Sequence, residues 1–304
     1  METVGEDFGL SSTTYRLDLE LSDGSSRQAV IKLAPATPSQ REHSFYEHCA
    51  AETPLRVPGF IYGNVDRKAD RGVVLLEYLP DMRQGDVLAG CTREEALTLA
   101  AILVRLHAHW WGGDHPALNA LNAVDDSDAN GPPIREGRLQ QFLDRHGPSL
   151  SAELLELIDG LPDRLDTANQ YLQAGPRTLI HRDFHLDNLL FTPSGEPFVI
   201  DWQGAATGPP ATDLAQFLVE CMTREQRRQF GTSALEAYLH QLETSGVRPG
   251  VAITNQILAA LDLLLAGTIN WLGKTPPDPP NTRKGLLGKN LLRNIADTIS
   301  SLSG

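Results

Sequence analysis

The stretch HRDFHLDNLLF, residues 181–191, decides how this chain folds and where its chemistry lies. It places histidine, arginine, aspartate and asparagine side chains within eight positions, directly after the apolar run 178–180 and directly before the apolar run 189–191. Charge of this density between two strand-like runs is costly to bury. The pattern therefore indicates a functional site held between two short strands.

The residues that follow this stretch predict a β-hairpin. With the turn of LLFTPSGEPFVID (189–201) centred between Ser194 and Gly195, Asn188 falls opposite Asp201. An amide oxygen and a carboxylate at the mouth of a hairpin are hard ligands suited to Mg²⁺. Asp183 lies just upstream, and in kinases the spacing H-R-D-x-x-x-x-N supplies an aspartate that accepts a hydroxyl proton and an asparagine that binds magnesium. The stretch therefore predicts metal-assisted phosphoryl transfer.

Residues 13–79 predict an antiparallel sheet with one helix. YRLDLEL (15–21) alternates apolar and polar residues, SDGS (22–25) supplies a turn, and QAVIKLA (28–34) returns as the second strand. TPSQREHSFYEHCA (37–50) reads as a helix capped by Thr37 or Ser39, and FIYGN (60–64) and GVVLLEYL (72–79) return to strand. The predicted order is strand, strand, helix, strand, strand.

Two charged residues of this region lie on apolar faces. Lys32 shares a strand face with Val30 and Ala34, so its side chain points across an apolar surface. Glu42 precedes Phe45 and Cys49 at i+3 and i+7, which places it on the buried stripe of the helix. Because Ser39-x-x-Glu42 is also a capping box, Glu42 has a purely structural alternative.

After Pro80 the pattern becomes mainly helical. REEALTLAAILVRLHAHWW (93–111) predicts a long helix with a capping box from Thr92 to Glu95 and a stop at Gly112 and Gly113. SAELLELIDGLPDRLDTANQYLQ (151–173) predicts more helix, interrupted at 160–162. The biased segment TPPDPPNTRKG (275–285) predicts a surface loop.

Composition excludes several classes of protein. The 304 residues carry a net charge of -13, which argues against nucleic-acid binding because phosphate contacts need clustered Lys and Arg. Three separated cysteines indicate neither a zinc site nor a disulfide framework. The N-terminus lacks a signal-peptide pattern, and the apolar run near residue 260 is interrupted by Asp262 and too short to span a bilayer. We therefore expect a cytoplasmic protein with no membrane contact and no obligate protein partner.

Motifs along nearly the whole chain resemble the aminoglycoside phosphotransferase and choline kinase-like superfamily, in particular the branch with the bacterial relatives of ecdysteroid kinases. The resemblance rests on their number and order: AVIKLA (29–34), REHSFYEH (41–48), VVLLEYLP (73–80), GDVLAGCTREEA (85–96), LHAHWW (106–111), HRDFHLDNLLF (181–191) and VIDWQGAATGPPATDLAQFL (199–218). It implies a bilobal, protein-kinase-like α+β fold that binds ATP and Mg²⁺. The implied lobes are an antiparallel-sheet nucleotide-binding lobe, 1–79, and a mainly helical catalytic and substrate-binding lobe, 80–304.

The resemblance also implies roles for individual residues. Asp183 corresponds to the catalytic base, Asn188 and Asp201 to the metal ligands, Lys32 to the strand lysine on the nucleotide phosphates, and Glu42 to its partner on the helix. The implied adenine and phosphate contacts are the hinge residues Glu77, Tyr78 and Leu79 and the loop 8–13, with Ser11 and Ser12 as candidate ligands.

Two positions depart from the family pattern. Arg182 stands where the family usually has glycine, and an arginine at this position instead resembles protein kinases. The N-terminal loop GEDFGLSST (5–13) has only two glycines, so its phosphate contacts would come from hydroxyls and backbone amides.

Three classes of function agree with these motifs: a small-molecule kinase, a protein kinase, and a nucleotide-binding module without strong catalysis. A protein kinase needs a long activation segment, and only eleven residues separate Asp201 from Asp213. A module that had lost catalysis would be expected to lack one of Lys32, Asp183, Asn188 or Asp201, and all four are present. The small-molecule kinase is favoured, with a catalytically weak nucleotide-binding module as the alternative.

The acceptor side indicates a small alcohol as substrate. Its candidate contacts are His185, Asp187, Trp202, Gln203, Glu220 and Trp271, beside the apolar run 257–270. An aminoglycoside is a polycation that needs several carboxylates, and this set is more apolar and aromatic than acidic. The sequence therefore favours an uncharged, partly hydrophobic alcohol, and leaves a true aminoglycoside O-phosphotransferase conferring resistance as a further alternative.

Overall fold

The computed structural model describes residues 2–3, 12–124, 134–248, 253–274, 279 and 282–303. Its strands are β1 (Glu2–Thr3), β2 (Thr13–Glu20), β3 (Ser26–Ala34), β4 (Phe60–Asp66), β5 (Arg71–Glu77), β6 (Arg83–Gln84), β7 (Thr178–Ile180), β8 (Leu189–Phe191), β9 (Pro197–Val199) and β10 (Ala206–Gly208). Its α-helices are α1 (Ala36–His48), α2 (Arg93–His109), α3 (Asn119–Asn122), α4 (Arg138–His146), α5 (Ala152–Asp159), α6 (Leu161–Gln173), α7 (Ala211–Glu220), α8 (Arg224–Gln226), α9 (Thr232–Thr244), α10 (Ile253–Lys274) and α11 (Arg283–Ser303).

The chain before Pro80 forms a five-stranded antiparallel sheet with α1 packed on it. The strand order is β1-β2-β3-β5-β4, and the hairpins β2–β3 and β4–β5 are the two predicted from the sequence. β3 pairs with β5 so that Lys32 lies opposite Val74, which is buried. Because paired residues share a face of the sheet, Lys32 points into the apolar layer beneath α1. The predicted α+β fold with a sheet lobe and a helical lobe is confirmed; the boundary between residues 79 and 80 stays a prediction.

α1 begins at Ala36, one residue before the predicted start, and neither Thr37 nor Ser39 caps it. The flanking residue is Pro35, and no side chain caps the helix from that position. Asp70, in the turn between β4 and β5, instead accepts a hydrogen bond from the amide of Ala36 at 3.0 Å. The predicted cap was wrong because a distant carboxylate satisfies this end of the helix.

Ser39 lies inside the first turn of α1 and is buried against Gly72. A Cβ added to Gly72 would lie 2.0 Å from the Cβ of Ser39, so only glycine allows this approach of the sheet to the helix. Ser39 is therefore no cap, and the capping-box alternative for Glu42 falls away. Glu42 is 1% exposed and lies on the buried stripe with Phe45 and Cys49, as the spacing predicts.

β8 and β9 form the predicted hairpin, but its register differs by one residue from the prediction. Leu189 pairs with Val199, and the amide of Ile200 donates to the carbonyl of Asn188 at 3.0 Å. The turn holds three residues, 193–195, with Gly195 at a φ of 86°. Asn188 therefore lies opposite Ile200, and Asp201 follows in the left-handed conformation with a φ of 64°.

The rest of the chain is mainly helical, as predicted. α2 begins with the predicted capping box of Thr92 and Glu95 and ends before Gly112 and Gly113, both at positive φ. α5 and α6 are divided at Gly160, as the interruption predicts. The segment 275–285 is not all loop, because α11 begins at Arg283.

α10 is the central helix of this lobe and packs against α4, α6, α7 and α11. Its 22 residues are apolar enough to cross a membrane by length and composition, so the apolar run is longer than the sequence suggested. Much of it is buried inside the protein, and Asp262 is held by two nitrogens of Arg164 from α6 at 2.8–3.2 Å. These contacts are those of the core helix of a globular lobe.

Candidate active site

The loop after β7 is fixed in place by buried hydrogen bonds from α7. Both oxygens of the fully buried Asp213 accept backbone hydrogen bonds, from His181 at 2.9 Å and from Arg182 at 2.8 Å. Gln216, one turn along the same helix, accepts from the amide of Phe184 and donates to the carbonyl of Arg182. The backbone of residues 181–184 is thus held by α7, and the side chain of Asp183 takes part in none of these hydrogen bonds.

Arg182 adopts a φ of 63°, a left-handed conformation that glycine enters at little cost and other residues enter rarely. Glycine would therefore adopt this conformation at a lower cost than arginine. The hydrogen bond from the Arg182 amide to Asp213 is one contact that holds this conformation in the present chain.

Asp183 is held as an anion by two neighbours. The Nε2 atom of His185 lies 3.3 Å from Oδ1, and the Nδ2 atom of Asn188 donates to Oδ2 at 3.0 Å. Burial alone would raise the pKa of Asp183, but the charge and hydrogen bond of His185 outweigh it and lower the pKa to about 2. Burial would likewise lower the pKa of His185, and Asp183 instead raises it to about 10. At neutral pH the two form an imidazolium–carboxylate pair.

The structure brings Lys32, Glu42 and Asp201 together across the two lobes. The Nζ atom of Lys32 lies 3.0 Å from Oε2 of Glu42 and also donates to Oδ1 of Asp201. Burial opposes the charge of Lys32, but Glu42 and Asp201 together raise the pKa of its ammonium. The lysine is therefore charged and fixed between the helix of one lobe and the hairpin of the other.

The residues predicted to bind magnesium have oxygens suited to it. Asn188 uses its amide nitrogen to donate to Asp183 and to the carbonyl of residue 183 at 2.9 Å, and Lys32 holds one oxygen of Asp201. None of the described residues donates a hydrogen bond to the amide oxygen of Asn188 or to Oδ2 of Asp201. Among the described residues, no three His, Cys, Asp or Glu side chains lie together as a metal site.

The predicted nucleotide contacts lie on the sheet side of the cleft. Glu77 is the last residue of β5, and its Oε2 accepts a hydrogen bond from the amide of Gly59 at 3.1 Å. Tyr78 and Leu79 follow it and are half-buried. Ser12 precedes β2 and lines a surface groove beside the end of β3. Ser11 lies outside the described residues. The role of each as a nucleotide contact stays a prediction.

A cavity of about 290 Å³ opens beside Asp183, on the side of the helical lobe. Five of the six predicted acceptor contacts line it, together with Asp183, Asn188 and Asp201; these five are His185, Asp187, Gln203, Glu220 and Trp271. Burial and neighbouring carboxylates raise the pKa of Glu220 to about 7 against the attraction of His185. Glu220 makes no hydrogen bond or salt bridge with any described residue.

Trp202 is the one predicted acceptor contact that does not line this cavity. Its ring is fully buried and stacks on Phe45 of α1 with 3.7 Å between the ring centroids, and its Nε1 donates to the carbonyl of Val199. It packs the hairpin against the helix that carries Glu42. Its position next to Asp201 suggested a substrate contact, but the side chain turns into the core.

Sequence reasoning missed Arg283. Its guanidinium binds both oxygens of Asp187 at 2.7–2.8 Å and Oδ1 of Asp86 at 2.8 Å. Asp187 lines the cavity, but it is committed to this ion pair. No local pattern reveals the contact, because Arg283 lies 96 residues beyond Asp187 in a segment whose composition is that of a loop.

Comparison with known proteins identifies the family. A family model described as "Phosphotransferase enzyme family" matches residues 8–252, most of the chain. The chain belongs to this phosphotransferase family. The match includes Lys32, Asp183, Asn188 and Asp201, and it ends before α10 and α11. The predicted superfamily and enzyme class are therefore confirmed.

Individual relatives of this phosphotransferase are distant. A homoserine kinase of Gluconobacter oxydans is 26% identical over 219 residues, which span 71% of this chain and 65% of that protein, slightly less than two thirds of its length. The crystal structure of a choline kinase from Streptococcus pneumoniae shares 14% identity, with 99% of this chain and 95% of that chain covered and a TM-score of 0.56. Spectinomycin phosphotransferase, solved with ADP and spectinomycin, shares 13% identity over 99% of this chain and 92% of that chain, with a TM-score of 0.61. These structures agree with the fold described above.

Proposed function

We propose that this phosphotransferase is an ATP- and magnesium-dependent kinase that transfers the γ-phosphoryl group to the hydroxyl of a small amino alcohol. The observation that carries the proposal is the placement of the ionised Asp183 at the wall of a small cavity, beside the two oxygen ligands Asn188 and Asp201. The cavity has room for an acceptor, and Lys32 and Asp201 lie together where they would hold the nucleotide phosphates and Mg²⁺.

Asp183 orients the acceptor hydroxyl and accepts its proton. A carboxylate with a pKa of about 2 is a weak base, so it takes the proton late, as the hydroxyl oxygen bonds to phosphorus. This suits phosphoryl transfer, whose loose transition state depends more on alignment and charge than on a strong base. His185 and Asn188 keep the carboxylate ionised and fix its direction.

Lys32 is the cation for the nucleotide phosphates. Its pairing with Glu42 leaves the ammonium charged and pre-positioned beside Asp201, so little reorganisation is needed when phosphate oxygens arrive. Mg²⁺ held by Asn188 and Asp201 would neutralise the charge that develops on the phosphate oxygens.

Glu220 is proposed to bind the amine of the acceptor. Arg283 pairs with the carboxylate of Asp187, and Lys32 pairs with that of Asp201. Glu220 forms no ion pair with a described residue, and the His185 imidazolium that attracts it is already paired with Asp183. A carboxylate without an ion-pair partner in a partly apolar cavity is stabilised by an ammonium group of the substrate. The sequence favoured an uncharged alcohol because it showed few carboxylates. We propose instead an alcohol with a single cationic nitrogen, because Glu220 has no ion-pair partner among the described residues.

The size of the cavity favours a small acceptor. About 290 Å³ lies at the lower end of the range of small-molecule pockets, which is small for an aminoglycoside. Homoserine and choline, named for two of the relatives, each combine one hydroxyl with one cationic nitrogen, and they define the class to be tested.

The test is turnover of matched acceptor pairs with the purified full chain, ATP and Mg²⁺. L-Homoserine is compared with 4-hydroxybutyrate, and choline with 3,3-dimethyl-1-butanol, so that each pair differs mainly in the cationic nitrogen; kanamycin serves as the large polycation. ADP release with at least one amino alcohol is expected, together with a kcat/KM about tenfold or more lower for its partner without the cationic nitrogen. Equal turnover within both pairs, or efficient turnover of kanamycin, would contradict the proposed acceptor. Mg²⁺-dependent ATP binding without turnover of any alcohol would instead favour the nucleotide-binding module.

The cytoplasmic location and the absence of an obligate partner remain part of this proposal.

A further inference from the structure

The contact between the start of α11 and the catalytic loop, residues 181–188 after β7, joins three separate segments. Arg283, the first residue of α11, binds Asp187 of the catalytic loop with two short hydrogen bonds and Asp86 of the segment after β6 with a third. Asp187 also accepts the amide of Val87 at 2.9 Å. A single guanidinium and a single buried carboxylate thus tie the three segments together.

The surroundings of Asp187 make this contact difficult to replace. Asp187 is 5% exposed, so its charge needs a fixed counter-charge. The planar fork of arginine offers nitrogens to two carboxylates at once, whereas the ammonium of lysine has no such geometry. Gly85 packs against the same loop so tightly that a Cβ there would lie 2.3 Å from the carbonyl of Leu186. The segment after β6 therefore cannot shift toward the loop to compensate.

The same helix supplies one wall of the acceptor cavity. Leu287, Asn290, Leu291 and Asn294 of α11 line it, and Val87 lines it from the segment after β6. Arg283 is thus the contact that joins both walls to the loop of Asp183, whereas Asn294 further along α11 is held by Arg227 and by the carbonyl of Val219. α11 also lies beyond residues 8–252, so this wall is built by a part of the chain outside the region that the family model matches.

We propose that Arg283 is a positioning residue that fixes the α11 wall of the acceptor cavity against the catalytic loop, so that acceptor binding depends on it and nucleotide binding does not. The kinetic part of this inference rests on the proposed kinase function. Asp187 then acts as the counter-charge of Arg283 and not as a contact of the acceptor. On the nucleotide side, Lys32, Glu42 and Asp201 make their contacts without Arg283. Asn188, which follows Asp187, is held independently by Asp183 and by the amide of Ile200.

The kinetic test compares Arg283→Ala and Arg283→Lys with Lys289→Ala, which removes an exposed positive charge from the same helix. Using the amino alcohol of the panel with the highest kcat/KM, we expect Arg283→Ala to raise the KM for the acceptor about tenfold or more, with the KM for ATP within about twofold. Arg283→Lys should lie between wild type and Arg283→Ala, and Lys289→Ala should match wild type. An unchanged acceptor KM, or an equal rise for ATP and acceptor, would overturn the inference.

Charge rescue separates positioning from a general loss of structure. Asp187→Asn removes the buried charge that Arg283→Ala leaves unpaired, so adding it to Arg283→Ala should recover part of the acceptor KM. A double variant that is no better than Arg283→Ala would contradict the role of the ion pair.

A ligand-free measurement keeps the inference independent of the kinase proposal. Hydrogen exchange of the amides in 84–89 and 185–189 should be about tenfold or more faster in Arg283→Ala than in wild type, and unchanged in Lys289→Ala. If no alcohol is turned over, the proposed function fails while this experiment still decides the inference. Unchanged exchange in both segments of Arg283→Ala would overturn it.

Discussion

Replacing Asp183 by asparagine removes the proposed base and leaves its shape in place. Asparagine has nearly the same volume, and the bond from the side chain of Asn188 to the carbonyl of residue 183 does not involve the carboxylate. What changes is the charge beside His185, whose Nε2 lies 3.3 Å from Oδ1, and the ability to accept a proton. We therefore expect Asp183→Asn to fold and to bind nucleotide.

The expected loss lies in turnover. A positioned general base contributes about 10²- to 10⁴-fold, which corresponds to about 3–5 kcal/mol of activation free energy. Because Asp183 contacts neither Lys32 nor Asp201, the dissociation constant of ATP should change by less than about threefold. Loss of the neighbouring anion should also lower the pKa of His185 from about 10 toward the ordinary range of histidine.

Three measurements check this prediction: kcat with the amino alcohol, ATP binding by calorimetry, and an NMR titration of His185. Asp159→Asn, at the exposed end of α5, removes one negative charge far from the site and should leave all three unchanged. A kcat near wild type would remove Asp183 from the mechanism. A parallel loss of ATP affinity would show that it belongs to the nucleotide site instead.

Further variants test the metal ligands, the amine contact and the strained backbone. Asp201→Ala should abolish the magnesium-dependent tightening of ATP binding in calorimetry, and Asn188→Ala should weaken it less because a neutral ligand is lost; unchanged metal dependence in both would contradict the assignment. Since the pKa of Glu220 is raised to about 7, its charge is present above that pH and lost below it, so kcat/KM for an amino alcohol should fall as the pH drops through about 7. Glu220→Gln should remove this fall in kcat/KM, and a fall that persists in the variant would assign the pH dependence to another titrating group. Arg182→Gly should keep activity and change the free energy of unfolding in urea by less than about 1 kcal/mol. Relief of the left-handed φ should offset the larger conformational entropy that glycine loses on folding. A loss of stability above about 2 kcal/mol would contradict backbone strain at this position.

The sequence predicted the site hairpin but misplaced its register by one residue. The prediction assumed a two-residue turn centred between Ser194 and Gly195. The structure has a three-residue turn with Gly195 at a φ of 86°, a common hairpin connection that ends in a left-handed glycine. Asp201 still reaches the site because it leaves the strand in a left-handed conformation, which no alternation of apolar and polar residues reveals.

The parts of the site that sequence reasoning missed depend on contacts between distant segments. Periodicity placed Lys32 and Glu42 on buried faces, and the resemblance paired them. The sequence could not show that Trp202 turns inward to stack on Phe45, because the ring of Phe45 comes from the other lobe. Nor could it show that Arg283 compensates Asp187, since neither residue has a local pattern that requires the other.

The most direct test of the account is a ³¹P NMR record of the reaction of wild-type protein with ATP, Mg²⁺ and the preferred amino alcohol. Transfer to the hydroxyl predicts that the γ-phosphorus signal of ATP disappears while ADP and a phosphomonoester appear in equal amounts, and that the same mixture with Asp183→Asn shows about 10²-fold or more slower formation of both. Release of inorganic phosphate without a phosphomonoester, or equal rates for the two proteins, would contradict the claim that Asp183 directs the γ-phosphoryl group to a bound alcohol.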